Sequence, residues 1–195
     1  MKPITPWTRL DSTYTYRDRW LTLRSDTVRL ANGSTLAPYH VVEGPDWVNV
    51  VALSEAGNII LVEQYRHAVQ KIMLELPAGQ VDPKEDHDAA MRRELLEETG
   101  FGGGTWHPLD TLFPAASRMT TRVTGYLALG LERIAEPALE ESEDLRVREM
   151  PWEEFASGLR AGGLRLLEAN QMSTVLLVHL LAASSNDPAI ARLRI

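Results

Sequence analysis

Three glutamates, Glu94, Glu97 and Glu98, stand at i, i+3 and i+4. A helix through them carries all three carboxylates on one face. Like charges at this spacing repel, at a cost of roughly a few tenths of a kcal/mol per pair. A divalent cation turns that repulsion into ligation, because hard cations take carboxylate oxygens. Arg93, four residues before Glu97, can partly neutralise the cluster. Glu85, one loop earlier, can accept hydrogen bonds from Arg93 and so lock loop to helix. Gly79 lets the chain turn where a Cβ would interfere. A plain solvated acidic helix face has the same spacing of carboxylates.

The elements around these residues are consistent with a site. Residues 89–99 are rich in Ala, Met, Leu, Arg and Glu, all good helix formers. A Pro-containing turn precedes them, and Gly100 follows as a C-cap.

The whole stretch resembles the Nudix box at every defined position: Gly79, five residues, Glu85, seven residues, then Arg93-Glu94-Leu95-x-Glu97-Glu98-x-Gly100-Phe101. The resemblance implies an α/β fold, an α/β/α sandwich around a mixed sheet. It also implies hydrolysis of a nucleoside diphosphate linked to another moiety. Glu94, Glu97 and Glu98 would hold Mg²⁺ or Mn²⁺, joined by the main-chain carbonyl of Ala78. Gly79, Glu85 and Arg93 would support them. The run Glu63-Gln64-Tyr65-Arg66 looks like the same element in the family's ADP-ribose pyrophosphatase branch. That branch places a small β lobe before the core, exchanged between two subunits. It also draws its general base from a late acidic loop. Here that loop holds Glu143, the favoured base, with Glu141 behind it; box glutamates such as Glu98 serve in other branches. Any one of these loop carboxylates could equally be a solvated surface charge.

Composition narrows the reading. A chain of 195 residues suits one domain, or one domain with a small added lobe. Its formal net charge of −7 argues against general nucleic-acid binding. With no cysteine, disulfides, thiolate catalysis and Cys-based zinc sites are excluded, and a reducing cytoplasm fits. No secretory h-region opens the sequence, and the apolar stretch 175–183 is too short to span a bilayer.

Along the chain, residues 1–19 are polar and aromatic with no clear element. Residues 20–30 and 34–43 read as strands joined at Asn32-Gly33, a strong hairpin signal. Residues 1–45 are therefore expected to form the N-terminal antiparallel β lobe, and 46–195 the catalytic domain. Strands are expected at 47–53, 59–65, 73–76, 105–112, 122–131 and 145–150. Gly102-Gly103-Gly104 reads as a flexible link, 113–121 as a loop and 135–144 as an acidic loop. Helices are expected at 151–159, with Pro at the first turn, and from 166 or 168 to 183, where Met172, Val175, Leu176 and His179 recur at helical spacing.

Substrate contacts are expected from Arg66, whose planar fork suits phosphate oxygens. Trp47 or Trp20 could stack on a base, although core or interface packing accounts for either. Arg118 and Arg122 lie where the family contacts the distal group, or serve the surface. His87 and His179 need no catalytic role. Pro114 is followed by Ala115-Ala116-Ser117 in place of the branch's Ser-Pro-Gly-type loop, so the part that selects the terminal sugar differs. The expected protein is a cytoplasmic homodimer acting on a nucleoside diphosphate sugar such as ADP-ribose, away from membranes. Its rivals are a dinucleoside polyphosphate or nucleoside triphosphate hydrolase, and a non-catalytic nucleotide-sugar sensor.

Overall fold

A computed structural model describes residues 3–139 and 143–195. The chain forms two compact units, Met1–Pro45 with Phe113–Arg122, and Asp46–Leu112 with Val123–Ile195.

The first unit is a three-stranded antiparallel sheet in the order β1 (Thr8–Arg17), β2 (Thr22–Arg29), β3 (Thr35–Glu43). The Asn-Gly turn forms: Leu30 N–H donates to the Ser34 carbonyl, and Gly33 takes φ +87°. β1 lies in the stretch that showed no clear element, because every one of its residues is exposed and leaves no buried alternation to read. The Phe113–Arg122 segment joins this sheet through a bridge from Met119 to Val42. Asp26, only 5% exposed, anchors the sheet interior. It accepts from Arg24 Nε at 2.8 Å and from Ser12 Oγ.

The second unit contains β4 (Trp47–Ser54), β5 (Asn58–Arg66), β6 (Lys71–Glu75), β7 (Ala78–Gln80), α1 (His87–Thr99), β8 (Phe101–Leu112), β9 (Val123–Arg133), β10 (Leu145–Pro151), α2 (Trp152–Ala161), α3 (Ala169–Ser184) and α4 (Pro188–Ala191). Its sheet runs β10-β5-β4-β9-β8, with β6 added to β5 and β7 to β4. β4 and β9 are parallel and the other pairs antiparallel, so the sheet is mixed. Side chains alternate across a strand. Val48, Val50 and Ala52 thus pack with Met91 and Leu95 of α1, while Val51 and Leu53 pack with Trp152, Phe155, Val175 and Val178 of α2 and α3. Helices on both faces make the α/β/α sandwich.

Three local readings change. Gly102-Gly103-Gly104 is part of β8, not a flexible link: a Cβ on Gly104 would sit 2.4 Å from the Leu129 carbonyl oxygen, so glycine permits the close pairing with β9. On α3, Val175 is buried, but Met172 and Leu176 are 40% and 55% exposed. The helical period there marks two faces, one of them turned to solvent. α1 begins at His87 because the Asp86 carboxylate caps it, accepting from the N–H groups of Asp88 and Ala89.

Candidate active site

The strand β7 and the helix α1 build the site. β7 pairs with the start of β4, placing Trp47 opposite Gln80, Val48 opposite Gly79 and Asn49 opposite Ala78. α1 docks its apolar face on the same sheet through Ala90, Met91 and Leu95. Gly100 ends the helix in the left-handed conformation, φ +74°. The carboxylate face of α1 therefore abuts β7. A Cβ on Gly79 would lie 1.9 Å from the Glu94 carboxyl carbon, so the space a side chain would fill is occupied by a carboxylate.

Glu98 is the most deeply set of the three carboxylates, 3% exposed. Its Oε2 accepts from Ala78 N–H at 3.1 Å. Burial pushes its carboxyl up to about 8, with Glu94 and Glu143 adding to the shift and Ala78 N–H and Arg66 opposing it. Burial also raises Glu94, which the Arg93 guanidinium holds down and the neighbouring Glu97 and Glu143 push further up. The Glu97 side chain is 44% exposed.

Arg93 ties the cluster together. Its Nε and Nη2 donate to Glu85 at 3.0 and 2.9 Å, its Nη1 to Glu94 at 2.9 Å and Glu97 at 3.1 Å, and its Nη2 also to the Gln80 carbonyl at 3.1 Å. The lock between loop and helix read from Glu85 and Arg93 is thus formed. The guanidinium keeps the Glu85 carboxyl below its ordinary value.

Among the described residues, no three acidic, histidine or cysteine side chains stand converged as a finished metal cage. Arg93 takes oxygens of Glu85, Glu94 and Glu97 instead. The donor set nonetheless fits a hard cation. It is all carboxylate oxygen, and Glu98 is buried and Glu94 partly buried, where charge is costly without a cation.

Arg66, at the end of β5, donates from Nε and Nη2 to Glu75 at 2.8 and 2.6 Å, and its side chain stays 36% exposed. Glu75, Glu168 and Glu98 all favour its charged form. Trp47 is half-buried at the start of β4. Arg118 lies in the N-terminal unit, over the Tyr39 ring and near the His40 carbonyl. Glu141 lies outside the described residues. Among the histidines, His87 Nδ1 bonds Thr124 Oγ1 at 2.7 Å, and His179 Nδ1 accepts from Ile195 N–H at 2.9 Å. Two residues escaped sequence reasoning, Glu75 and Gln171. The signal for Glu75 was a carboxylate in the inward register of β6, in step with buried Met73.

The NUDIX domain model matches residues 45–169, well over half of the chain. The chain belongs to the Nudix family. Hydrolases of this family as a rule use divalent metal ions. A second model, described as the nucleoside diphosphate sugar hydrolase N-terminal domain, matches residues 7–42. An ADP-ribose pyrophosphatase of Mycobacterium tuberculosis is 34% identical over 168 residues, 85% of this chain and 80% of that protein. An ADP-ribose pyrophosphatase of Bacillus subtilis is 28% identical over 75% of each chain. A CMP-5'-(N-acetyl-N-hydroxy-3-aminopropyl)phosphonate hydrolase of Streptomyces rubellomurinus is 33% identical over 74% of this chain and 69% of its own. The crystal structure of an ADP compounds hydrolase superposes with a TM-score of 0.81 at 24% identity, covering 95% of this chain and 99% of the other. The α/β/α sandwich of the Nudix fold is therefore shared. Among the described residues, no helix is long and apolar enough to cross a membrane.

Proposed function

We propose that this Nudix protein hydrolyses the pyrophosphate bond of a nucleoside diphosphate sugar, ADP-ribose or a close relative, giving a nucleoside monophosphate and a sugar phosphate. One observation carries the reading: Glu98, buried on the box helix and held by Ala78 N–H, shares its electrostatic surroundings with Glu94 and Glu143. The likeness to two ADP-ribose pyrophosphatases supports the substrate class.

Each residue then has a task. Glu94, Glu97 and Glu98, with the Ala78 carbonyl, are the groups that would hold Mg²⁺ or Mn²⁺, which when bound neutralises diphosphate oxygens and acidifies water. Arg66 orients the diphosphate with its planar, permanently charged fork. Glu143 takes a proton from the attacking water, with Glu141 and Glu98 as its alternates. Water adds to one phosphorus, the bond to the bridging oxygen breaks, and the second phosphate leaves with that oxygen. Trp47 stacks on the base, and Arg118 serves the distal group. Gly79, Glu85 and Arg93 hold the metal-binding carboxylates in place.

The division at residue 45, with a dimerising lobe before a catalytic domain at 46–195, belongs to the same reading. It is supported by the exposed aromatic side chains of the lobe, Trp7 at 51% and Trp20 at 74%. A cytoplasmic location accords with the absence of cysteine. A second reading differs only in the distal group. The Streptomyces rubellomurinus relative is named for a CMP-linked phosphonate, and Pro114-Ala115-Ala116-Ser117 departs from the sugar-selecting loop of the ADP-ribose branch.

A substrate panel with Mg²⁺, read by product identity, tests the function. ADP-ribose and other sugar-linked diphosphates should yield two monophosphates each. Turnover of nucleoside triphosphates or dinucleoside polyphosphates alone would overturn it.

A further inference from the structure

Glu75 is completely buried. It receives Arg66 through both carboxylate oxygens, and Gln64 Nε2 and Gln171 Nε2 each donate to its Oε2 at 3.3 Å. Gln171 comes from the first turn of α3 and is itself 4% exposed. Its Oε1 accepts from Leu76 N–H at 2.7 Å. Two residues further on, Ala78 N–H donates to Glu98. One amide therefore grips the carboxylate behind Arg66 at one end and the main chain entering the box at the other.

The amide can sit only one way. Its NH₂ must face the Glu75 carboxylate and its oxygen must face the Leu76 N–H; the flipped form opposes like groups at both ends. A buried side chain satisfied at both ends resists rotation.

We infer that Gln171 is a positioning residue for the Nudix site, fixing the Arg66 guanidinium relative to the chain at Ala78. The inference rests on the proposed function, in which Arg66 orients the diphosphate. Without the amide, Glu75 loses a donor and Leu76 N–H is left buried and unpaired. The carboxylate can then tilt, and the guanidinium bonded to it through two atoms follows.

A double-mutant cycle separates this from plain core packing. Gln171→Met keeps the volume and removes both hydrogen bonds, and Arg66→Lys removes the fork. Each variant and the double variant are assayed with ADP-ribose and Mg²⁺, with near-ultraviolet circular dichroism to verify folding. Gln171→Met should raise KM about tenfold, the loss of one charge-assisted contact, with a smaller change in kcat. The double variant should match the KM of Arg66→Lys alone. Multiplying KM effects, or a wild-type KM in folded Gln171→Met, would overturn the inference while leaving the proposed function standing. If Arg66→Lys leaves both constants unchanged, Arg66 loses its proposed task and the inference falls with it. Should Gln171→Met not fold, Gln171→Asn, one methylene too short to reach both partners, enters the same cycle with the same criteria.

Discussion

Ala78 N–H donates to the buried carboxylate of Glu98 over 3.1 Å. This bond joins the start of the short strand β7 to the last turn of α1, as Arg93 Nη2 joins the strand's other end, at the Gln80 carbonyl. It brings the Ala78 peptide to the same place as the helix carboxylates, although twenty residues separate the two in sequence.

The two neighbouring glutamates should respond differently in stability and alike in activity. Glu97 is half open to solvent, so Glu97→Gln should leave Tm within a few degrees of wild type. Burial disfavours the charged form of Glu98, so Glu98→Gln, which is neutral at every pH, should hold or raise Tm. Each should lower kcat/KM by about a hundredfold or more if its carboxylate holds a cation. Thermal unfolding beside steady-state rates checks both, and near-normal turnover in both variants would remove the metal assignment.

Gly79→Ala tests the cradle. The added methyl would meet the Glu94 carboxylate at 1.9 Å, so either the carboxylate or the strand must move. A stability loss of about 1–3 kcal/mol is expected from such overpacking. Activity should fall by more than that loss explains, because the displaced group is a proposed ligand. Denaturant melts read against specific activity measure the two effects separately.

In the N-terminal unit, Asp26 sets an acid limit. Arg24, then Ser12 and Arg9, hold its carboxyl below the ordinary 3.8. A lowered folded value means stability that is fully present above the unfolded value and lost as pH falls through the folded one. Asp26→Asn should therefore cost about 2 kcal/mol at neutral pH. Its stability should converge with wild type as pH falls through that lowered value. Urea melts across pH 2–7 would show this, and a gap independent of pH would contradict it.

What was legible in the sequence follows the range of the interactions. Glu94, Glu97, Glu98, Arg93 and Glu85 lie within one helix and its preceding loop, so the full box pattern displayed them, where the spacing of the carboxylates alone fits a solvated acidic face as well. The strands of the core announced themselves through apolar runs such as Val50 to Leu53, every member of which is buried. Gln171 and Glu75 are 96 residues apart and meet only because α3 packs on the sheet. No periodicity encodes such a pair. β1 was illegible for the opposite reason: with no residue buried, its sequence carries no apolar alternation to mark a strand. The glycines of β8 read as a link because three in a row suggest a flexible chain; in the structure Gly103 and Gly104 take φ values of +74° and +65° inside the strand.

The most direct measurement is the position of a manganese ion, located by anomalous diffraction from crystals soaked with Mn²⁺ and a non-hydrolysable ADP-ribose analogue. The expected result is a peak coordinated by carboxylates of α1 and the Ala78 carbonyl, bridged to the diphosphate. A diphosphate bound away from α1, with no metal on Glu94, Glu97 or Glu98, would contradict the account.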